Sequence, residues 1–296
     1  MDLLQLRYFQ AVARYQHVSR AAADLRVAQP ALSRTLARLE AELGVPLFNR
    51  HGRRLALNRF GAAFLARVER ALGELDQARH ELEDAVGLAH GSIAVAAETL
   101  RVLTDLAAAF LADHPEVSLR LNQSSAPAMS RQLEAGDVDL CLASQPLEGP
   151  EFRAVELFSE EVLLAVPPQH RFARRKSVGV KELAGEPFIT PRAGYWQRTL
   201  IERLLRRAGT SLTIACEGDE PAAIRGLISA GVGVGLLPMV ARRMAAQPPV
   251  AWLHLQAPGC RRTLSAVWRE DVYLSSAARR FIDFAVAHFR GQPVDG

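Results

Sequence analysis

The segment from Ser19 to Gly44 constrains this chain more than any other, because it reads as two helices parted by a break of only a few residues. Ser19 stands as the expected N-cap before Arg20, Ala21, Ala22, Ala23, Asp24 and Leu25, whose small alanines let another helix approach closely. A break follows at Arg26 and Val27. Pro30 suits the first turn of a second helix, where its missing N–H has no partner to lose, and Ala31, Leu32, Leu36, Leu39 and Leu43 mark one apolar face that ends near Gly44. Gln29, Ser33, Arg34 and Arg38 recur on the opposite face. Ahead of both, Leu3 to Ala13 carries apolar residues at roughly helical spacing and predicts a supporting helix. Helix, tight turn, helix is the layout in which the second helix enters the DNA major groove. An ordinary solvated helix face would use the same polar residues, so the pattern alone leaves both readings open.

Charge adds weight to the first reading. The net charge is only +4, yet residues 1–60 hold ten arginines against Asp2, Asp24, Glu40 and Glu42, an excess of +6 that leaves the remainder near −2. A basic excess on a short module suits a polyanion partner, since phosphate neutralisation drives affinity through counterion release. Arginine makes up nearly all of the basic residues, which coding bias explains, but bias does not explain its concentration at one end. Beyond Gly44, VPLFNRHGRRLAL anchors Leu47 and Phe48, turns at His51 and Gly52 and returns through Leu55 and Leu57. That predicts a hairpin wing carrying Arg50, Arg53 and Arg54, placed to grip flanking backbone or an adjacent minor groove.

From Phe60 to Ala89 there is no proline, and Leu65, Val68, Leu72, Leu75, Leu82, Val86 and Ala89 form a heptad seam interrupted by Arg79. A helix of roughly 28 residues would span about 42 Å, long enough to need a packing partner. A second copy of the chain is the expected partner; packing on its own domain is the alternative.

After Gly91 the grammar changes to strands alternating with helices. SIAVAA, a helix over Thr99 to Leu111, SLRLNQ, a helix over Ser125 to Leu133 and VDLCLA come first. EVLLAVP, PFIT, a helix from Trp196 to Arg207, LTIACEG, a helix from Pro221 to Ala230, VGVGLLP and TLSAVW follow. The alternation predicts parallel sheets with crossover helices, and two such sheets joined by crossing strands enclose a cleft. Open α/β sheets bind ligands at the carboxyl ends of their strands.

Hydrophobic residues make up 49% and charged residues 23%, enough for buried cores and no basis for long disorder. MDLLQLRYFQ lacks the layout of a signal peptide and no stretch reaches the ~18 apolar residues of a membrane span, so a cytoplasmic protein with no membrane partner is expected. Cys141, Cys216 and Cys260 are far apart and lack C-x-x-C spacing, and the eight histidines are scattered. Neither a metal nor a cofactor is expected. GVGVG at Gly231 to Gly235 precedes a strand and lacks the G-x-G-x-x-G spacing of a phosphate loop. No G-x-S-x-G, Walker lysine or H-E-x-x-H occurs, so no catalytic constellation is present.

Taken together, LRYFQAVARYQHVSRAAADLRVAQPALSRTLARLEAELGVPLFNR, AGDVDLCLA and LISAGVGVGLLP resemble the LysR-type family of transcriptional regulators along essentially the whole chain. The resemblance implies an α/β protein with an all-α N-terminal part: a winged helix-turn-helix domain at 1–58 (helix-turn-helix about 18–37), a linker and dimerisation helix at 59–90 and an effector domain at 91–296. That effector domain is of periplasmic-binding-protein type, with lobe I about 91–161 and 267–296 and lobe II about 162–266. By position, the resemblance puts Gln29, Pro30, Ser33, Arg34 and Arg38 toward DNA with Arg53 on the wing. It puts ligand contacts at Thr99, Ser124, Ser125 and the loop from Thr190 to Gly194, where Arg192 could pair with a carboxylate. Two departures stand out. Ala28 replaces the usual Ser or Thr, removing a cap typically worth ~1 kcal/mol, and Asn58-Arg59-Phe60-Gly61 replaces Thr-x-Ala-Gly. Glu98, at the same turn as Thr99, opposes an anion unless it points away.

The expected partners are double-stranded operator DNA, a small-molecule effector whose class Glu98 leaves open, an organic anion being one option, a second copy in a homodimer through residues 60–89 and then a homotetramer, and RNA polymerase. The alternative is a DNA-binding regulator that is constitutive or responds to redox or another signal, and whose C-terminal domain binds no ligand.

Overall fold

The computed structural model describes residues 1–51, 54–85, 91–149, 151–243 and 248–290, without the side chains at 50, 51, 54, 76–77, 79–80, 83–85, 102 and 243. The chain divides into two compact units, Met1–Leu88 with Glu134–Asp137, and Ala89–Leu133 with Val138–Gly296.

In the first unit, helix α1 (Leu3–Tyr15) is closed by a reciprocal cap: the Gln5 amide donates to the Asp2 carboxylate and the Asp2 amide to the Gln5 carbonyl oxygen, both at 2.8 Å. Helix α2 (Val18–Asp24) begins two residues earlier than expected, so Ser19 lies within it and His17 takes the cap position without a side-chain bond. The break falls at Arg26, whose φ of 54° is left-handed, and the Val27 amide donates to the Ala22 carbonyl at 3.0 Å. Helix α3 (Gln29–Leu43) starts from Ala28 with no side-chain cap, as the sequence implied, and stops at Gly44, φ 73°. Leu32, Leu36 and Leu39 bury with Phe9, Val12 and Ala21, and Phe9 lies 5.5 Å from Phe48 and 5.3 Å from Phe64, centroid to centroid.

Strands β1 (Phe48–His51) and β2 (Arg54–Leu57) pair antiparallel as the wing. Helix α4 (Arg59–Ala85) starts from Asn58, whose Oδ1 accepts from the Phe60 and Gly61 amides at 2.8 and 2.9 Å while its Nδ2 donates to the Pro46 carbonyl. A Cβ at Gly61 would lie 2.1 Å from the Leu47 carbonyl oxygen, so only glycine fits there. The heptad seam divides. Val68 and Leu72 are buried against the domain's own core, whereas Leu75 and Leu82 are 49% and 67% exposed. Val86 and Ala89, and the side chain of Arg79, lie outside the described residues.

The second unit has two lobes. In the first, strands β3 (Ser92–Ala97), β4 (Ser118–Gln123) and β5 (Leu140–Ala143) run parallel, but β12 (Arg261–Arg269) runs antiparallel both to β5 and to β6 (Phe152–Val166), giving the order β4-β3-β5-β12-β6. The wholly parallel sheet expected from the strand–helix alternation is therefore corrected to a mixed one. Its last two strands are the segments that cross between lobes, and the chain between them is the whole second lobe and not a single crossover helix. Helices α5 (Arg101–Asp113) and α9 (Ser276–Arg290) cover one face, where Phe110 meets Phe281 edge-on at 5.0 Å. Helix α6 (Ala126–Ala135) covers the other, with Met129 and Leu133 against Ala96 and Cys141.

In the second lobe the far end of β6 pairs antiparallel with β10 (Gly235–Pro238) and β11 (Ala251–Gln256), and β11 pairs parallel with β7 (Ser177–Gly179). Strands β8 (Pro187–Thr190) and β9 (Thr213–Glu217) pair parallel, linked to the rest by a bridge from Phe188 to Val234. Helix α7 (Trp196–Arg207) buries Leu200, Ile201 and Leu204 on one face, and α8 (Pro221–Ser229) buries Ile224 and Ile228 on the other. Among the described residues no helix is long and apolar enough to cross a membrane.

Candidate nucleic-acid interface and ligand cleft

Helix α3 presents Gln29, Pro30, Arg34 and Arg38 to solvent, with Ser33 half-buried. Gln29 Nε2 lies 3.4 Å from Ser33 Oγ, so the two side chains lean together at the helix N-terminus. Arg34 has no partner among the described residues. Arg38 differs: its Nε donates to Glu42 at 3.0 Å, although its side chain is 76% exposed. Glu42 also receives the Met1 amino group and Gln5, and these bonds hold it down at about 2. Sequence spacing put Arg34 and Arg38 in one class; the structure leaves Arg34 open and gives Arg38 a carboxylate that a phosphate must displace.

Behind this face, Glu40 accepts from the Leu47 amide at 2.7 Å and the Phe48 amide at 3.3 Å, tying α3 to the base of the wing. Sequence reasoning counted Glu40 only as a negative charge. The wing places Arg50 and Arg54 on β1 and β2, but their side chains, and Arg53 altogether, lie outside the described residues.

The carboxyl end of β3 lies between the lobes. Here Glu98, 3% exposed, resolves the conflict seen in the sequence: it faces into the protein, accepting from the Ser144 amide (2.8 Å), Gln145 Nε2 (2.7 Å) and the Trp196 amide at the start of α7 (2.9 Å). It thus joins strand ends of the first lobe to a helix of the second. Burial raises its pKa despite these donors and the nearby Arg262.

The ligand positions expected from the sequence separate. Thr99 lines a cavity of about 370 Å³ together with Arg101, Gln123, Gln197, Arg225 and Arg262. Ser124, Ser125, Thr190 and Arg192 do not line it. Ser124 is buried, its amide donating to Ala97. Ser125 faces the loop from Thr190 to Gly194 across a close approach: the Ala126 amide donates to the Gly194 carbonyl at 3.0 Å, and a Cβ at Gly194, φ 94°, would press on Pro127 and Ser125. Thr190 is buried with its hydroxyl unpartnered. Arg192 is held by Asp219, Nε to Oδ2 at 2.6 Å.

Two arginines that sequence reasoning missed are better placed. Arg225, 6% exposed on the otherwise apolar α8, donates Nε to Pro248 (3.0 Å) and Nη1 to Ala241 (2.7 Å), both carbonyls, and stacks over Trp252. It has no carboxylate partner among the described residues, and burial lowers its pKa. A lone arginine in PAAIRGLISA was the signal available. Arg262, 2% exposed, donates to Glu160 at 2.5 Å and lies over Trp196 at 5.2 Å, while its Nε has no partner.

A family model described as a bacterial regulatory helix-turn-helix protein of the lysR family matches residues 3–62, and one described as the LysR substrate binding domain matches residues 87–290. The chain belongs to the LysR family. It is 36% identical to the HTH-type transcriptional regulator YybE of Bacillus subtilis, covering 98% of this chain and 99% of that protein. It is 31% identical to the transcriptional dual regulator GltC of the same species, covering 98% of each. Among solved structures, full-length CbnR in complex with its target DNA is similar at 25% identity and a TM-score of 0.69, over 98% of this chain and all of that one. The chain is thus a DNA-binding transcriptional regulator of LysR type and not an enzyme. Its helix-turn-helix lies in the first unit and its two-lobed substrate-binding domain in the second.

Proposed function

We propose that this LysR-type regulator binds operator DNA through α3 and the wing, and that a small organic anion bound between the lobes of the second unit controls it. The DNA contacts in this reading are Gln29, Pro30, Ser33, Arg34 and Arg38, with Arg50, Arg53 and Arg54 on the flanking backbone. The effector occupies the cleft at Thr99, with Arg225 as its charged anchor. Ser124, Ser125 and Thr190 act behind the cleft, shaping the approach of the lobes, and Arg192 orders the neighbouring loop through Asp219.

The observation that carries effector binding is Arg225: a guanidinium buried in the cleft wall, fixed by two carbonyls and without a counter-ion among the described residues, since Glu220 in the same lining is taken up by the Ala222 and Ala223 amides. A buried charge is normally paired, and a ligand carboxylate is the missing partner. The burial that raises Cys141, and Cys260 to about 12, keeps both as thiols and argues against a redox role for these two, leaving half-buried Cys216 as the cysteine a redox reading would need. Exposed Leu75 and Leu82 on α4 favour a homodimer through residues 60–89, on modules bounded at 1–58, 59–90 and 91–296, with a tetramer and RNA polymerase contact as further steps.

The test is a thermal-shift screen of small carboxylates and neutral analogues against wild type and Arg225→Met. A carboxylate should raise the melting temperature of wild type, and the variant should lose that response. A response carried equally by the neutral analogues or by Arg225→Met would overturn the assignment.

A further inference from the structure

Strand β12 separates two cavities. Side chains along a strand alternate between its faces, and on β12 the alternation is uninterrupted: the register slip beside Leu264 and Ser265 places the extra residue, Leu157, on β6. Arg262 points to the cleft of about 370 Å³ already described. Arg261, Thr263, Ser265 and Val267 point the other way, into a separate cavity of about 470 Å³. The lining residues of the two cavities do not overlap.

The second cavity has the chemistry of a binding site. Its apolar wall is Trp196, Leu200, Leu147 and Phe152, and its lining also carries the hydroxyls of Ser144, Thr199, Thr263 and Ser265, of which Thr199 donates to the Tyr195 carbonyl and Thr263 to Ser159. At its rim Arg203 makes a single long bond, 3.4 Å to the Gly259 carbonyl, and has no carboxylate partner among the described residues. Arg261 is oriented beside it by Ser159, Nε to Oγ at 3.2 Å and Nη2 to the carbonyl at 3.0 Å. Arg203 and the hydroxyl row recognise an anionic head, and the aromatic and leucine wall recognises an apolar body.

We propose that this cavity is a second ligand site, distinct from the Arg225 cleft, for a small organic anion with an apolar body. Trp196 forms one of its walls and carries Arg262 on its ring, while Arg262 lines the other cleft. The two sites therefore share one stacked pair of side chains, and a ligand in either bears on the same contact between lobes.

Octanoate and 1-octanol, equal in chain length but differing in charge, are the probes, titrated calorimetrically into the full-length protein. Octanoate should bind saturably and 1-octanol about tenfold more weakly or worse, as expected for loss of a charge-assisted bond. Arg203→Gln and the plugging variant Thr199→Trp, both at exposed positions, should each weaken octanoate about tenfold or more. Thr104→Trp, which plugs the other cleft, should leave it unchanged. Absence of saturable binding at millimolar octanoate would overturn the second site, as would equal binding of 1-octanol. Binding blocked by Thr104→Trp but not by Thr199→Trp would also overturn it, while leaving the Arg225 cleft supported.

Discussion

The ion pair between Glu160 and Arg262 gives the sharpest prediction about what holds the two lobes in register. Both side chains are almost fully buried, at 2% and 1% exposure, and they sit side by side on the crossing strands β6 and β12. The Glu160 carboxylate accepts from Arg262 Nη2 at 2.5 Å and from the Val240 amide of the second lobe at 2.7 Å. Burial pulls the Arg262 pKa down while Glu160 and Glu98 push it up. Replacing Arg262 by methionine removes the only side-chain cation bonded to Glu160 among the described residues and strands a buried carboxylate, which typically costs about 3–5 kcal/mol. In a unit of about 200 residues that lowers the melting temperature by roughly 6–20 °C. Glu160→Gln alone should also destabilise, because it strands the guanidinium. In the double variant neither stranded charge remains, so its loss should fall short of the two single losses added together by at least ~1 kcal/mol. The assay is urea denaturation of the four proteins at pH 7. Strict additivity, or a loss below about 1 kcal/mol for Arg262→Met, would refute the claim that the pair acts as a unit.

Three further expectations follow from the same geometry. Asn58→Ala should cost about 0.5–2 kcal/mol in urea denaturation, because the Phe60 and Gly61 amides at the head of α4 lose their acceptor. Glu98 is a carboxyl whose folded pKa is raised, so the folded state holds its proton after the unfolded state has released it. Stability should therefore fall as pH rises from about 4.5 through the folded value, and that step should vanish from the denaturation profile of Glu98→Gln. Substituting Leu75 and Leu82 by Ser should shift the light-scattering mass toward the monomer if the exposed seam of α4 pairs two copies; an unchanged dimer mass would remove the seam from the interface.

Much of the fold was legible because it is written in periodicity. The leucines at 32, 36 and 39 could only face a core, and SIAVAA, SLRLNQ, PFIT and the helix from Trp196 to Arg207 have the bounds their patterns imply. Helix α9 was equally legible, with Ala277, Ala278, Phe281, Ile282, Ala285 and Phe289 at spacings of three and four, although the expected alternation ended at TLSAVW. Strand direction was not legible: a short apolar strand reads the same parallel or antiparallel, and only the crossing of β6 and β12 between lobes made the sheet mixed. The site was legible by class and not by residue. Hydroxyls at strand ends drew attention to Thr99, Ser124, Ser125 and Thr190, but nothing local distinguishes an arginine held by Asp219 from one held by carbonyls. The first, Arg192, has its charge answered; the second, Arg225, has no carboxylate partner among the described residues. The same long-range pairing hid the role of Glu98, whose acceptor bonds come from residues 46 and more positions away.

The account rests most directly on α3 as the DNA-reading element, and a salt-dependent titration tests it. Binding of wild type and Arg34→Ala to a DNA fragment recovered by genome-wide mapping of the protein's bound sites is measured by gel shift at several salt concentrations. If Arg34 grips a phosphate, the variant should bind more weakly and its log-affinity against log-salt slope should be shallower by about 0.9; if Arg34 reads a base edge, affinity should fall by about 1–3 kcal/mol with the slope unchanged. Equal affinity and equal slope for the two proteins would contradict the account.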